Sequence, residues 1–164
     1  MDSRRRCLRQ IGQRARTFWR GRGYIVEACF RLICARLSLV VLPLKRLMGL
    51  HSLSWSKDNL LFHEVRLATE EEQQQARAIG WAVTKTAAHL PIDARCLAQA
   101  LAARAMLRRR GIASMMHIGV ARPDATSLEA HAWLEAAGIG VTGYPIAPSL
   151  RVIGQLHTEG VKRR

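Results

Sequence analysis

From residue 69 onward the apolar positions fall into two periods, first helical and then strand-like. Thr69-Glu70-Glu71-Glu72 opens the first element. The Thr69 side chain can accept from the backbone N–H of Glu72 while the Glu72 carboxylate returns to the Thr69 N–H, a capping box. Three acids in one turn also suit the positive end of a helix dipole. Ala76, Ile79, Val83 and Ala87 then recur at helical spacing and predict a single buried stripe. The helix is expected to stop before Leu90-Pro91, because proline disfavours helical geometry in the residue preceding it. A second helix starts after Asp93, read as its N-cap, and runs from Ala94 to Leu107. Nearly every face of it is apolar, so it should be central and buried. Arg108, Arg109 and Arg110 complement its negative end, and Gly111 suits the position just past it.

The period then changes to two. Ser114 to Ala121 reads as a strand with Met116, Ile118 and Val120 on one face. Arg122 to Ser127 reads as a turn, Glu129 to Ala136 as a second strand, and Ala137-Gly138 as the turn into a third, Ile139 to Thr142. Beyond it, Gly143, Pro145 and Pro148 predict irregular structure.

Upstream, the stretch from Tyr24 to Leu50 is the most hydrophobic in the chain. Its uncharged run from Leu37 to Leu44, bounded by Arg36 and Lys45, is far short of the ~20 apolar residues of a membrane span. Glu27 and Arg31, four residues apart, mark a polar stripe. The stretch predicts a helix ending near Pro43 and packed on the rest of the protein. A membrane-surface helix with an arginine-rich flank is the rival reading. A loop around His51 to Asp58 follows, which divides the chain into a helical extension over 1–68 and a core over 69–164.

Composition narrows the picture. In 164 residues about half are apolar (49%), enough for one packed core and against wholesale disorder. The formal charge of +14 implies an acidic partner. Eight arginines against one acid, Asp2, lie in residues 1–23, with further clusters at Arg108-Arg109-Arg110 and Lys162-Arg163-Arg164. This basicity is peripheral, as in tails and helix ends. Nucleic-acid binding is disfavoured, since no binding motif is present and aromatic residues make up 5% of the chain. Cys7, Cys29, Cys34 and Cys96 form no CxxC pair and no zinc spacing, so no metal or cofactor is expected. Cys29 and Cys34 read as buried, inert thiols. With no secretory signal, the reducing cytoplasm is the expected compartment.

Two residues carry candidate chemistry. Cys96 falls near the start of the second helix, where free backbone N–H groups and the dipole favour the thiolate, the nucleophilic form. A small core residue in an alanine-rich helix is the competing reading. His131 lies mid-strand, sharing a face with Glu129, Trp133 and Glu135, opposite Ala130, Ala132 and Leu134. Taken alone, such a histidine is more often structural. A helix-start cysteine followed by a strand histidine is nevertheless one standard way to build a thiolate–imidazole pair. His51, His63 and His157 fall in or near loops, His89 at a helix end, and His117 on a strand face the pattern does not orient.

The segments Ala94-Arg95-Cys96-Leu97-Ala98-Gln99-Ala100-Leu101, Leu107-Arg108-Arg109-Arg110-Gly111-Ile112, Ile118-Gly119-Val120 and Ala130-His131-Ala132-Trp133-Leu134-Glu135 resemble, in order and spacing, the core of lasso-peptide leader peptidases. These are the maturation proteases, or B proteins, of the transglutaminase-like type. The resemblance covers roughly residues 75 to 155, and the N-terminal helix resembles the stand-alone form. It implies an α+β, papain-like core: a buried helix carrying the cysteine at its start, packed on a small antiparallel sheet, with an N-terminal helical extension. It implies a cysteine peptidase that cuts the leader from a ribosomal precursor peptide, with Cys96 as nucleophile and His131 as base. The implied partners are a separate leader-recognition protein and an ATP-dependent lasso cyclase, with membrane-surface contact through the N-terminal segment as a further expectation. The family pattern also carries an acid, usually Asp, on the strand after the histidine. Here that strand, through Gly143 and Tyr144, holds no carboxylate. A backbone carbonyl, Thr142 or a residue of the N-terminal part is left as the orienting group. Glu129 and Asp124 are further alternatives, less well placed. The Cys96 backbone N–H is the expected first oxyanion donor. A catalytically idle scaffold of the same shape is the alternative reading.

Overall fold

The computed structural model describes residues 23–41, 68–122, 127–158 and 160. The arginine-rich N-terminus, the loop around His51 to Asp58, His63, Asp124, Cys7 and the terminal basic cluster lie outside the described residues. Three helices and one four-stranded sheet make up the described fold: α1 (residues 23–41), α2 (Glu70–Ala87), α3 (Cys96–Arg109), β1 (Ser114–Ala121), β2 (Glu129–Ala136), β3 (Ile139–Thr142) and β4 (Arg151–Thr158).

The start of α2 is the capping box expected. Glu72 donates its backbone N–H to Thr69 Oγ1 at 3.2 Å, and the Thr69 N–H reaches Glu72 Oε2 at 2.9 Å. Ala76, Ile79 and Val83 are buried, as the stripe requires. Helix α3 is buried along Ala98, Ala100, Ala102, Ala103, Met106 and Leu107. Its start differs from the expectation. The cap is Arg95, which offers no side-chain bond, and Cys96 is the first helical residue. Asp93 is withdrawn from capping because its carboxylate takes the Arg95 Nε–H at 2.9 Å. An ion pair with the neighbouring guanidinium has displaced the N-cap bond.

All strand pairings are antiparallel, in the order β3-β2-β1-β4. Strand β4 was not expected. Its first three residues are exposed and Gly154 interrupts the alternation, so the usual period-two signal is lost. It pairs along β1 with a register shift between Ile118 and Gly119. His157 therefore lies within a strand and not near a loop. Ala132, Leu134 and Ala136 of β2 join Met116, Val141 and Leu156 in one core with α2 and α3.

Helix α1 joins that core through Ala28 and Leu32. Glu27, one turn from Arg31 on the helix, is engaged across the fold. It accepts from Arg110 Nη2 at 2.7 Å, and Arg109 Nη1 lies 3.4 Å away. Tyr24 lies under the same Arg110, 4.6 Å from guanidinium carbon to ring centre. Burial works against the Arg110 charge, but Glu27 and Tyr24 outweigh it and hold the pKa above the ordinary value. Cys29 and Cys34 are free and only half-buried.

Candidate active site

Cys96 is held where α3 begins. Its thiol is free and half-buried, and the residue packs against the apolar core. Being the first helical residue, it stands among backbone N–H groups that have no intrahelical acceptor. The Gln99 side chain closes the opposite flank of this turn by donating to the Ala94 carbonyl at 2.8 Å.

His131 is the third residue of β2, just after exposed Glu129 and Ala130. Alternation turns His131, Trp133 and Glu135 to the face opposite Ala132, Leu134 and Ala136, as the sequence pattern predicts. The imidazole donates Nε2–H to the carbonyl oxygen of Gly143 at 2.7 Å. A carbonyl can only accept, so the proton of the neutral ring sits on Nε2 and the lone pair is left on Nδ1. A backbone carbonyl thus holds the ring in the stretch where a carboxylate is expected.

Gly143 has φ +80°, and a Cβ built there would lie 2.5 Å from Ala132 O and 2.8 Å from both Cα and Cβ of Trp133. The chain comes this close to β2 only because the residue has no side chain, and the approach brings its carbonyl to His131.

The other side of the site is an aromatic stack. Trp133, 5% exposed, lies between His117 and His131, with ring centres 5.1 Å and 6.2 Å away and planes tilted by 9° and 20°. Gly119, the cross-strand partner of His131, leaves the space for this: a Cβ there would be 2.9 Å from the indole. His117 accepts at Nδ1 from the Gln155 amide at 3.3 Å, which puts its neutral-form proton on Nε2. That Nε2 points toward Glu135 Oε2, 3.6 Å away and beyond hydrogen-bonding distance. Glu135 in turn accepts from the Tyr144 hydroxyl at 2.6 Å. Burial, then the Glu135 hydrogen bond and charge, push the Tyr144 phenol well above its usual pKa.

Sequence reasoning missed His117, Tyr144 and Gln155. The facing of His117 follows from its register opposite Trp133, which periodicity within a single strand does not reveal. Gln155 lies on the strand that was not expected. The two site residues that were expected stand on packed elements, since α3 lies against β2, but β2 meets α3 in the core through Ala132, Leu134 and Ala136, the face opposite His131. Cys96 and His131 are not hydrogen-bonded to each other: Cys96 rests on the core while the imidazole bonds to Gly143. Among the described residues no cluster of His, Cys, Asp and Glu could hold a metal ion.

A helix that begins with a half-buried cysteine, laid on an antiparallel sheet that carries a carbonyl-anchored histidine, is the layout of a papain-like α+β core. A family model described as transglutaminase-like superfamily matches residues 38–153, and the chain belongs to that superfamily. Cysteine peptidases are common among its members. Neither the curated proteins nor the solved structures give a significant match.

Proposed function

We propose that this protein is a cysteine peptidase that removes the leader from a ribosomally made lasso-peptide precursor. The observation that carries the reading is the 2.7 Å hydrogen bond from His131 Nε2 to Gly143 O. It selects the tautomer whose Nδ1 can take a proton, which is what a general base for a thiol requires. Membership of the superfamily and the ordered segments around Cys96 and His131 support the same reading.

In this mechanism His131 Nδ1 takes the proton of Cys96, and the thiolate attacks the scissile carbonyl. The C–N bond breaks, the imidazolium gives its proton to the leaving amine, and a thioester remains on Cys96. Water then attacks the thioester with His131 again accepting the proton, which releases the leader acid and the thiol. The freed amine is the group that a separate ATP-dependent cyclase would join to an Asp or Glu side chain. The backbone N–H of Cys96 at the start of α3 is the first oxyanion donor. The reading requires thiol and imidazole, which are not bonded to each other here, to meet when the peptide is bound.

The test is mass spectrometry of a lasso precursor incubated with the wild-type protein and with Cys96→Ala, each with and without a leader-binding protein. A leader-sized fragment from the wild type alone is expected, and its mass locates the cut. Equal cleavage by Cys96→Ala removes the nucleophile assignment. The absence of any fragment with the leader-binding protein and cyclase both present favours a scaffold that has kept the shape and lost the chemistry. The missing carboxylate and the unformed thiol–imidazole bond are what keep that second reading in view.

A further inference from the structure

Helix α1 is apolar on two sides, and only one of them is used by the fold. Ala28, Leu32 and Ala35 face inward and are buried. Val26, Phe30, Ile33, Leu37, Val40 and Val41 face out, with exposures from 41% to 73%. Their spacing is that of one continuous stripe along the 19 described residues of the helix, about 28 Å. The charged residues of α1 are not on it. Glu27 and Arg36 are half-buried at its margins, Arg31 is half-buried on the inward side, and Glu27 is engaged by Arg110 and Arg109. Every exposed position of α1 is therefore glycine or aliphatic or aromatic, and the free charge beside the stripe is positive. A contiguous outward face of this kind on a small protein marks an interaction surface.

We infer that α1 is an interfacial helix whose outer stripe beds into the surface of an anionic bilayer. Two observations select this occupant. The stripe is bordered by Arg36 and directly preceded in sequence by residues 1–22, with eight arginines and one acid. An apolar helix face with a basic flank matches a membrane whose surface is negative above an apolar layer. A second copy of the chain fits less well, because pairing two such faces brings together two segments of net charge +7. The helix lies on the membrane and does not cross it: among the described residues no helix is long and apolar enough to span a bilayer. The core stays in water, since α1 covers it with its other face.

The full chain is tested by co-sedimentation with vesicles of phosphatidylcholine alone and with phosphatidylglycerol at roughly three to one. The wild type is expected to pellet with the mixed vesicles at least tenfold more than with phosphatidylcholine, and less as salt rises. Phe30→Glu/Leu37→Glu, both at exposed positions, is expected to lower that binding at least tenfold with an unchanged circular dichroism spectrum. Phe30→Ala/Leu37→Ala is the milder check and should lower it severalfold. Deleting residues 2–16 should weaken binding to the mixed vesicles only. Equal pelleting of wild type and both double variants overturns the inference. So does a wild type that ignores anionic vesicles, whether it is monomeric or forms a dimer that Phe30→Glu/Leu37→Glu breaks. None of these readouts uses peptide cleavage, so the inference stands or falls apart from the proposed activity.

Discussion

His131 donates its Nε2 proton to the backbone carbonyl of Gly143 across 2.7 Å, so the imidazole is oriented by a peptide group and not by a carboxylate. A peptide carbonyl fixes ring and tautomer as a carboxylate does, but carries no full negative charge to stabilise the imidazolium. The site should therefore work with a less strongly assisted base. A cysteine nucleophile tolerates this better than a serine, because its thiolate is intrinsically accessible.

The first prediction follows from the space around Gly143. Restoring the expected acid by Gly143→Asp should not rebuild a triad, because any Cβ there meets Ala132 O and the Trp133 backbone, and φ is +80°. Left-handed strain and the clash should together cost about 2–4 kcal/mol. Gly143→Ala and Gly143→Asp are both expected to melt about 4–16 °C below wild type, with cleavage lost alongside. A Gly143→Asp protein as stable as wild type and more active would show that the carbonyl is a poor reading of the site.

His131 itself gives the second. His131→Ala should lower precursor cleavage by about 10²–10⁴-fold. It should also slow alkylation of Cys96 by iodoacetamide, measured by peptide mapping against Cys29 and Cys34. A loss of only about twofold in cleavage, with alkylation unchanged, would make the histidine structural.

The elements that sequence made legible are those whose signal is local. The Thr69 and Glu72 capping box needs two residues three apart, and β1, β2 and β3 lie at the bounds that period two and their turns predict. The start of α3 was misread by two residues because Asp93 had two uses, and local preference could not tell that Arg95 would claim it. Strand β4 was invisible for a related reason: it is half exposed, broken by Gly154, and exists because the free edge of β1 accepts it. Cys96 and His131 were singled out through residue type and order. The Gly143 carbonyl could not be named in advance, since every residue has one and only the tertiary path decides which is aimed at the ring. His117 and Tyr144 needed the cross-strand register and the turn after β3 in the same way.

The third prediction concerns the attachment of α1. Glu27 is 12% exposed at its side chain and holds Arg110, at 20%, across 2.7 Å. Glu27→Gln keeps the shape but leaves the guanidinium half-buried without its counter-charge. The loss should be about 1–3 kcal/mol, read as a lower urea midpoint with an unchanged m-value. Arg110→Met, which removes the charge as well, should recover part of it in the Glu27→Gln background. If Glu27→Gln matches wild type, the pair contributes nothing beyond packing.

The last prediction is a pH dependence carried by Tyr144. Its hydroxyl donates to Glu135 Oε1 at 2.6 Å, and burial with that carboxylate holds the phenol above its usual pKa. A group with a raised folded-state pKa stabilises the fold fully below its unfolded value, about 10 for tyrosine, and loses that contribution as pH rises through the folded value. Tyr144→Phe removes the bond and the titration together. At pH 7 the variant should be less stable by about 0.5–1 kcal/mol, a modest figure because Tyr144 is 46% exposed and the bond is screened. Above pH 10 the wild type alone should lose this increment, so the two stabilities converge. Urea midpoints of both proteins from pH 7 to about pH 11 measure it. Parallel curves would mean that the bond to Glu135 contributes nothing to the fold. Because Tyr144 follows the residue whose carbonyl holds His131, Tyr144→Phe should also lower kcat for precursor cleavage while KM is kept. An effect on KM alone would place Tyr144 in peptide binding.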